Sequence, residues 1–373
     1  MIIILTQCFP SRIGGIESLV GNLALGISKK EKIIVFADQH NIAEDTLYDN
    51  NIKNFFLVNR TKGIKFFRKR KKVRELNQFL LSNKIKCIIG DSWKSFELSI
   101  DLINKEKIPT LCLAHGNELI KKNDMQFQRL KKTLSNVTSI IANSDYTAGL
   151  IEKLDLKKPS IKKIYPGAVN YTSYNEEFVS NISGNPILLT LARLEKRKGH
   201  EEILNSISKL KLIFPKIQYL VAGDGPELEN LKNIVKKLDI IDNVIFLGNI
   251  NDSQKKYIFD RTSLMVMPTL DNTITRSIEG FGISYIEAAF FGIPSIASNV
   301  GGTSEAVINN LTGKIIMNIG DLYIEINKLL SDKLILAKLG ANAKLRAQQE
   351  FSWENITSQY IKIINNVNEN KKI

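Results

Sequence analysis

Short apolar segments rich in β-branched residues alternate along this chain with longer segments of helical spacing, and the alternation runs through the sequence twice. Alternating strands and helices predict βαβ units, and therefore an α/β protein built on parallel sheets. The predicted strands of the first series are Ile2–Thr6, Ile33–Ala37, Asn54–Val58, Cys87–Gly90, Thr110–Ala114, Ser139–Asn143 and Ile161–Ile164. Those of the second series are Ile187–Ala192, Gln218–Ala222, Val244–Phe246, Leu264–Met267, Ser295–Ala297 and Thr312–Ile316.

A polar segment without clear periodicity, Asn170–Pro186, separates the two series and is typical of a linker. A chain of 373 residues is long enough for two domains, each with its own core. We therefore predict two Rossmann-like, doubly wound domains over residues 1–170 and 186–353, joined by a linker over 171–185. Because such folds bind ligands at the carboxyl ends of their strands, the two domains are expected to face a central cleft.

Several classes of protein are excluded by the sequence. No run approaches the ~18 consecutive apolar residues of a membrane span. The N-terminal segment MIIILTQCF lacks the basic region of a signal peptide. The three cysteines, Cys8, Cys87 and Cys112, fit neither a disulfide framework nor a metal cluster. We therefore expect a cytoplasmic protein.

Most of the net positive charge lies in the first half. Residues 1–180 hold 29 Lys and Arg against 18 Asp and Glu, whereas residues 181–373 hold 23 against 20. Residues 60–74 contain nine basic residues, no acidic one and two adjacent Phe. They predict either a solvated helix face or a surface for anionic lipid headgroups or a phosphorylated acceptor. Nucleic acid is disfavoured, because no helix-turn-helix, zinc-finger or RNP spacing accompanies the charge. The candidate surface residues are Arg68, Lys69, Arg70, Lys71 and Lys72.

Two strand ends of the first half carry candidate site residues. Gly14 and Gly15 lie between the first strand and a helical pattern, where paired glycines let backbone N–H groups approach a phosphate. A purely structural turn explains these glycines equally well. No G-x-G-x-x-G occurs, which disfavours a standard dinucleotide site. His115 ends another strand toward the expected cleft, which favours a functional histidine over a structural one.

The second half places more charge at strand ends. Arg193 and Lys198 follow a strand and precede a helix, where two cations can neutralise a diphosphate leaving group. Gly223 opens a tight turn after the next strand. Further on, EGFGISYIEA puts glycines at the start of a helix, with Glu279 before it and Glu287 eight residues later. These carboxylates could hold hydroxyls on either side of a bound diphosphate. The alternative is a capping carboxylate and a solvated glutamate, which the apolar residues after Glu287 disfavour.

Together these motifs resemble the retaining glycosyltransferases of family 4, which have the GT-B fold and include bacterial lipopolysaccharide, mannosyl and N-acetylglucosaminyl transferases. The similarity covers essentially the whole chain, in the family's order. The family's final helix crosses back onto the first domain, which is expected here of residues 354–373. The matching motifs are Gly14-Gly15-x-Glu17, His115-Gly116, Asn143-Ser144, Pro166-Gly167, Arg193 with Lys198-Gly199, Gly223-Asp224-Gly225-Pro226 and Glu279-x7-Glu287.

The resemblance implies a role for each matching residue. Gly14 and Gly15 would approach the donor diphosphate. His115 would contact the donor sugar near its reacting carbon. Arg193 and Lys198 would stabilise the departing nucleoside diphosphate.

The remaining implied roles concern the sugar, the ribose and the base. Glu279 would hold a sugar hydroxyl, and Glu287 would bind the ribose. The segment Thr269–Ile278 is longer and more polar than the family's short turn, and is expected to reshape the sugar pocket. Other donor contacts are implied for Gly223, for Asn249 in the turn beside the base, and for the amides of Phe281, Gly282 and Ile283.

The expected activity is therefore retaining transfer of a sugar from a nucleoside-diphosphate sugar, first of all a UDP-sugar, to a lipid-linked, lipopolysaccharide or polysaccharide acceptor. The sequence has no D-x-D motif, so cations and a helix N-terminus would replace a metal ion, and no cofactor is expected. The acceptor is expected on the first domain, with the basic segment against the inner face of the cell membrane. The alternatives are a nucleotide-sugar epimerase of the same fold and a non-catalytic nucleotide-sugar-binding scaffold.

Overall fold

The computed structural model describes residues 1–121, 123–270 and 278–369. The chain divides into two compact units. The first is Met1–Gly167 together with the C-terminal segment that starts at Trp353, and the second is Ala168–Ser352. The division falls three residues before the end expected for the first domain, and the last four residues of the expected C-terminal helix lie outside the described residues.

The first unit contains a seven-stranded parallel sheet in the order β3-β2-β1-β4-β5-β6-β7. Its strands are β1 Ile2–Leu5, β2 Ile33–Asp38, β3 Leu57–Thr61, β4 Cys87–Gly90, β5 Thr110–Ala114, β6 Ser139–Ala142 and β7 Ser160–Lys163. Its helices are α1 Gly15–Ser28, α2 Ile42–Ile52, α3 Lys65–Ser82, α4 Trp93–Phe96, α5 Ile100–Lys105, α6 Asp124–Leu134, α7 Asp145–Glu152 and, from the C-terminal segment, α15 Trp353–Glu369. Helix α15 packs against α1, and Lys30 donates to the Ser358 hydroxyl at 2.8 Å.

The second unit contains a six-stranded parallel sheet in the order β10-β9-β8-β11-β12-β13. Its strands are β8 Ile187–Leu191, β9 Gln218–Ala222, β10 Val244–Gly248, β11 Leu264–Met267, β12 Ser295–Ser298 and β13 Gly313–Ile316. Its helices are α8 His200–Leu210, α9 Leu228–Lys237, α10 Asp252–Phe259, α11 Ile283–Phe290, α12 Thr303–Ala306, α13 Leu322–Ser331 and α14 Lys333–Glu350. Both units thus have the predicted doubly wound α/β fold.

Each sheet reverses its strand order once, between β1 and β4 in the first unit and between β8 and β11 in the second. At such a point the loops after the two neighbouring strands run to opposite faces of the sheet and leave a crevice at the carboxyl edge. Each unit has a buried apolar core around its sheet, which holds these strand ends in place. The two reversal points are therefore the natural places to look for a site.

Strand β3 lies three residues later than predicted, at Leu57–Thr61 rather than Asn54–Val58. The residues after α2 complete a turn, with Phe55 and Phe56 N–H both bonding to the carbonyl of Ile52. The strand itself is polar and lies at the edge of the sheet. There Arg60 forms an ion pair with Asp49 at 2.8 Å. The apolar residues that precede this strand are the reason why the prediction began three residues too early.

The segment predicted as a linker is in part ordered against the second unit. Tyr171 is buried in a short 3-10 helix, Tyr171–Ser173. The Glu177 carboxylate accepts hydrogen bonds from Asn251 and Gln254 at the start of α10, each at 3.0 Å. The polar composition of this segment therefore gave no indication that it packs against the rest of the second unit.

The longest helices described, α3 and α14, have 18 residues each. Among the described residues, none of the helices is long and apolar enough to cross a bilayer. The basic residues of α3 in particular are incompatible with a span.

A buried polar network lies in the core of the second unit. The hydroxyl groups of Thr190 and Tyr219 are 2.8 Å apart, and Nδ1 of His200 is 3.0 Å from the same Tyr219 hydroxyl. His200 is only 3% exposed. Its burial, assisted by the nearby Lys198 ammonium, lowers the pKa of His200 to about 4. The native state therefore keeps this imidazole neutral at pH values where the unfolded chain protonates it.

We expect this histidine to make the protein less stable in mild acid. The neutral His200 contributes stability that is fully present above the unfolded pKa of about 6.5 and is lost as the pH falls toward the folded pKa. The loss amounts to about 3 kcal/mol between neutral pH and about pH 4. Urea unfolding of the wild type and of His200→Asn measures it, and the variant should lose that much less. An identical pH dependence in both proteins would contradict the assignment.

Candidate active site

Three charged side chains meet at the carboxyl end of the second sheet. Lys198 Nζ lies 2.5 Å from Oε2 of Glu279, and Arg197 donates to the same oxygen at 2.9 Å. The side chains of Lys198 and Glu279 are 8% and 15% exposed. Burial alone would raise the pKa of Glu279, but the ammonium and guanidinium groups outweigh it and hold this pKa below its usual range. Glu279 is therefore ionised at neutral pH.

The loop after β8 places the two cations. Residues Lys196–Lys198 form one turn of 3-10 helix that ends at Gly199, whose φ of +73° is left-handed. A Cβ at Gly199 would lie 2.4 Å from the carbonyl oxygen of Pro268. The N–H of Leu270 in turn bonds to the carbonyl of Arg197 at 2.7 Å. The loop after β8 is thus hydrogen-bonded to the segment after β11 and packs closely against it, on the other side of the reversal point of the sheet.

The Gly301–Gly302 turn after β12 positions the backbone of Glu279. The N–H of Gly302 donates to the Glu279 carbonyl at 2.9 Å. Gly301 has a φ of +62°, and a Cβ there would lie 2.1 Å from the same carbonyl oxygen. A side chain at residue 301 would therefore displace the backbone that carries the buried carboxylate.

Arg193 lies apart from this buried cluster. Its side chain is 74% exposed and pairs with Glu195 at 3.1 Å. The buried arginine beside Glu279 is Arg197, which we did not predict as a site residue. The run Lys196-Arg197-Lys198 signalled a local density of cations, but only the 3-10 turn determines which of them faces Glu279.

Gly223 supports the same loop through the backbone. Its φ is +130°, and a Cβ there would lie 2.0 Å from the carbonyl oxygen of Ala192. The N–H of Leu194 bonds to the carbonyl of Asp224 at 3.0 Å. Gly223 is therefore required for the close approach of two strand-end loops, whatever else it contacts. Asn249, also predicted as a donor contact, is exposed immediately after Gly248 at the end of β10.

Helix α11 begins at Ile283, close to Glu279 in sequence. Gly282 precedes it with a φ of +100° and supplies no side-chain cap, and a Cβ there would lie 2.6 Å from the Tyr285 ring. Tyr285 is buried and donates to the carbonyl of Met267 at 2.6 Å. The first N–H groups of a helix have no intrahelical partner, so the amides around Phe281, Gly282 and Ile283 form a partial positive charge.

Glu287, on the same helix, is buried and has partners within the unit. The Tyr171 hydroxyl donates to its Oε1 at 3.0 Å, and Lys255 Nζ lies 3.7 Å from the same oxygen. Lys255 also donates to the Tyr171 hydroxyl at 2.7 Å. The prediction that Glu287 is not merely solvated is confirmed. Tyr171 and Lys255 were missed, because Tyr171 lies in the segment interpreted as a linker.

In the first unit the ends of β1, β4 and β5 converge on Asp91. His115 Nε2 lies 2.8 Å from the backbone carbonyl of Asp91. Because a carbonyl only accepts, Nε2 carries the proton, and Nδ1 of the neutral ring is an acceptor. The buried Asp91 carboxylate itself accepts from the Thr6 hydroxyl at 2.7 Å. His115 is thus oriented by the strand next to its own.

The predicted glycine turn precedes α1, which begins at Gly15. A Cβ at Gly14 would lie 2.2 Å from Oε2 of Glu17, a buried carboxylate in the first turn that pairs with Arg12 at 3.0 Å. A Cβ at Gly15 meets nothing within 4 Å among the described residues. A side chain at residue 14 would therefore have to displace the Glu17 carboxylate, whereas Gly15 has no steric explanation.

Lys72 is buried, so the prediction that it belongs to an exposed basic patch is wrong. Its Nζ lies 2.5 Å from Oδ1 of Asp38 and donates to the carbonyl of Thr6, and the residue is buried. Burial lowers the pKa of Lys72, while the Asp38 carboxylate opposes this shift. The periodicity of α3 turns this lysine toward the sheet, which counting charges along the sequence could not reveal.

The other four basic residues divide into two pairs. Arg68 lies 3.0 Å from Asp38, and Lys69 lies 3.2 Å from Glu97. Arg70 and Lys71 are exposed. Lys71 Nζ also lies 3.9 Å from the Glu75 carboxylate, so exposure, and not the absence of a partner, distinguishes the second pair.

Two further expectations concern segments or clusters rather than single residues. Of the polar segment Thr269–Ile278, residues 271–277 lie outside the described residues. In the described part of the chain, no group of three or more His, Cys, Asp or Glu side chains is arranged to hold a metal ion.

We expect Gly301→Ala to destabilise the second unit more than Gly248→Ala. The two glycines have nearly equal φ, +62° and +63°, so both variants carry the left-handed strain of about 1 kcal/mol. At residue 301 the new Cβ meets a backbone oxygen, whereas a Cβ at residue 248 meets no atom of the described residues within 4 Å. Thermal unfolding of both variants measures the difference. Equal losses of Tm would show that the turn can move away from Glu279.

Comparison with known proteins agrees with this arrangement. Residues 174–346 match the family model for glycosyl transferases group 1. The chain is 23% identical over 367 residues to the GDP-mannose-dependent monoacylated alpha-(1-6)-phosphatidylinositol monomannoside mannosyltransferase of Corynebacterium glutamicum, covering 94% of each protein. It is 25% identical over 404 residues to the alpha-1,3/1,6-mannosyltransferase ALG2 of Rhizomucor pusillus, covering 91% of this chain and 86% of that one.

The fold is also that of solved GT-B structures. The structure of Anabaena Alr3699/HepE in complex with UDP superposes with a TM-score of 0.81 at 18% identity, over 98% of this chain and 99% of that one. At this identity the likeness establishes the fold alone. The family model and the mannosyltransferase relatives decide between the transferase, the epimerase and the scaffold alternatives. Residues 174–346 thus match the glycosyl transferases group 1 model, the relatives over most of the chain are mannosyltransferases, and the chain is a glycosyltransferase with the GT-B fold.

Proposed function

We propose that this glycosyltransferase moves a sugar from a nucleoside-diphosphate sugar to a lipid-linked or glycan acceptor, with retention of configuration and without a metal ion. The observation that carries the proposal is the ionised Glu279, which lies just ahead of the α11 N-terminus. Its carboxylate is held by Lys198 and Arg197 of the loop after β8. This cluster combines an acceptor for a sugar hydroxyl with positive charge for a departing diphosphate.

The charges suit a leaving group that carries negative charge. Lys198, Arg197 and the exposed Arg193 provide three cations against the two carboxylates of Glu195 and Glu279. The amides at the start of α11 add partial positive charge. A diphosphate would balance this set, and the cations would neutralise its charge as Mg²⁺ does in metal-dependent phosphate chemistry.

The proposed reaction breaks the bond between the anomeric carbon and the diphosphate oxygen. The acceptor hydroxyl attacks on the same face, its oxygen bonds to that carbon, and its proton passes to the departing phosphate oxygen. Within this proposal His115 contacts the sugar and Gly14 and Gly15 contact the diphosphate. Glu287 binds the ribose through the oxygen that Tyr171 leaves open.

The substrate classes follow from the relatives. The Corynebacterium relative is named for GDP-mannose and a phosphatidylinositol mannoside, and the Anabaena structure holds UDP. The expected UDP-sugar is therefore tested beside GDP-mannose. An acceptor that is itself an anionic glycolipid agrees with the positive charge of residues 1–180.

We expect Glu279→Gln to lower turnover by about 100-fold or more while nucleoside-diphosphate affinity stays equal or increases. The amide loses the charged acceptor for the sugar hydroxyl, yet it leaves Lys198 and Arg197 free for phosphate. Donor hydrolysis and calorimetry with UDP and GDP measure the two effects, with UDP-glucose and GDP-mannose as donors. Glu229→Gln, on an exposed ion pair of α9, is the matched control and should change neither. A parallel fall in affinity and turnover would overturn this role.

We also propose that the exposed face of α3 binds anionic membrane at the inner surface of the cell membrane. Phe67, Arg70, Lys71 and Arg74 are exposed at positions i, i+3, i+4 and i+7 of this helix. Ile64, just before it, is 76% exposed. An apolar residue beside several cations on one helix face suits a lipid headgroup layer.

We expect the double variant Arg70→Gln/Lys71→Gln to bind phosphatidylglycerol-containing vesicles about 30-fold more weakly than the wild type. Each basic residue near an anionic surface contributes about 1 kcal/mol. Vesicle co-sedimentation measures the affinity. Lys157→Gln/Lys158→Gln removes the same charge from exposed positions elsewhere in the unit and should change the affinity less than threefold. Equal losses in both double variants would show that net charge, and not this face, is recognised.

A further inference from the structure

A pocket in the first unit has no part in the roles described so far. It lies at the carboxyl end of the sheet, beside the reversal of strand order between β1 and β4. Helix α3 forms one side, and α4 with the residues that follow it forms the other. The space is about 330 Å³ when its solvent-open part is included. Crevices at such reversal points are where doubly wound sheets bind ligands.

One side of this pocket is apolar. Leu5, at the end of β1, and Leu76, on α3, form its buried part, and Val73 extends the same surface. Leu98 lies at the open side and is 50% exposed. An exposed leucine that continues a buried apolar wall marks the path by which an apolar group could enter.

The other side is cationic, with three lysines. The charges of Lys69 and Lys72 are offset by Glu97 and Asp38, at 3.2 Å and 2.5 Å. Lys94 on α4 has no carboxylate partner among the described residues, and it is exposed. The charge of Lys94 is therefore the one available to a ligand.

The buried carboxylate nearest to this lysine in sequence does not neutralise it. Asp91 is 2% exposed and accepts from the hydroxyl groups of Thr6 and Ser95 and from the N–H of Gln7. Those donors occupy the carboxylate within the strand-end loops. The side chain of Gln7 reaches the α4 backbone at the carbonyl of Lys94, at 3.0 Å, and helps to fix that turn.

We propose that this pocket binds the head of an anionic amphiphile, with a phosphate group on Lys94 and the adjoining hydrocarbon along Leu98 and Val73. The proposal rests on the proposed function, in which the pocket takes part of the lipid-linked acceptor. It differs from the membrane contact of α3, because it takes a single phosphorylated molecule into a crevice and not a bilayer surface. The assignment requires both the charge and the apolar contact. An exposed lysine alone would attract any soluble anion, and an apolar surface alone would bind the tail of any detergent.

The test is calorimetry with octyl phosphate below its micellar concentration, using the full chain. Octanol presents the hydrocarbon without the charge, and inorganic phosphate presents the charge without the hydrocarbon. We expect octyl phosphate to bind at least tenfold more tightly than either. Lys94→Met should weaken octyl phosphate binding at least tenfold, whereas Lys105→Met, an exposed lysine on α5 outside the pocket, should leave it unchanged.

Three results would overturn the proposal: equal binding of octanol and octyl phosphate, equal binding of inorganic phosphate and octyl phosphate, or an unaltered affinity in Lys94→Met. Binding of UDP or GDP to the same preparations reports on the second unit separately. A protein that binds nucleotide but not octyl phosphate therefore contradicts this inference and leaves the proposed transferase chemistry standing. A protein that binds octyl phosphate but transfers no sugar contradicts only the proposed function.

Discussion

The ionised Glu279 cannot lie in the interior of the second unit without compensating positive charge, and much of the local structure follows from this requirement. An unpaired buried carboxylate costs several kcal/mol, so Lys198 and Arg197 must both remain in place. They remain because their loop is bonded to the segment after β11 through Leu270. Strands β8 and β11 are neighbours only because the sheet reverses its order between them. The topology thus determines where the charged cluster can form.

Close backbone approach is the second constraint on the same site. Gly199, Gly223 and Gly301 each lie where a Cβ would come within 2.4 Å of a carbonyl oxygen of a neighbouring loop. The loops after β8, β9, β11 and β12 are therefore packed backbone to backbone, with little room for adjustment. Side chains on such a support hold their positions before a substrate arrives, which is the condition for electrostatic catalysis without reorganisation.

The sequence was sufficient to predict strands whose apolar residues face a buried sheet. Cys87–Gly90, Thr110–Ala114, Gln218–Ala222 and Leu264–Met267 have the predicted bounds. It failed for β3, because a polar edge strand stabilised by ion pairs has no apolar pattern to reveal it. Glu279 and Lys198 were each expected after a strand of the second sheet, and their side chains meet because those strands end at the same edge.

The residues that sequence reasoning misplaced are those whose role depends on which way a side chain points. Arg193 and Arg197 are both arginines in one loop, and only the 3-10 turn ending at Gly199 brings Arg197 onto Glu279. Lys72 lies among four other cations in sequence, yet the phase of α3 buries it against Asp38. Tyr171 reaches Glu287 from a segment whose composition is that of a linker.

The two sheets reverse in the same way but surround their reversal points with different chemistry. In the second unit the buried cations are paired with carboxylates, so a ligand must bring enough negative charge to compete with Glu195 and Glu279. In the proposed reaction a diphosphate supplies that charge, because its two phosphates can each contact a cation while Glu279 turns to a sugar hydroxyl. In the first unit hydroxyl and amide donors bond to Asp91, and Lys94, which has no carboxylate partner among the described residues, lines a pocket together with leucine side chains. A single anionic group joined to hydrocarbon fits that combination, whereas a highly charged nucleotide would leave the apolar wall uncovered. Under the proposed function, the charged cluster of the second unit therefore takes chiefly the diphosphate of the donor, and the reversal point of the first unit takes the acceptor.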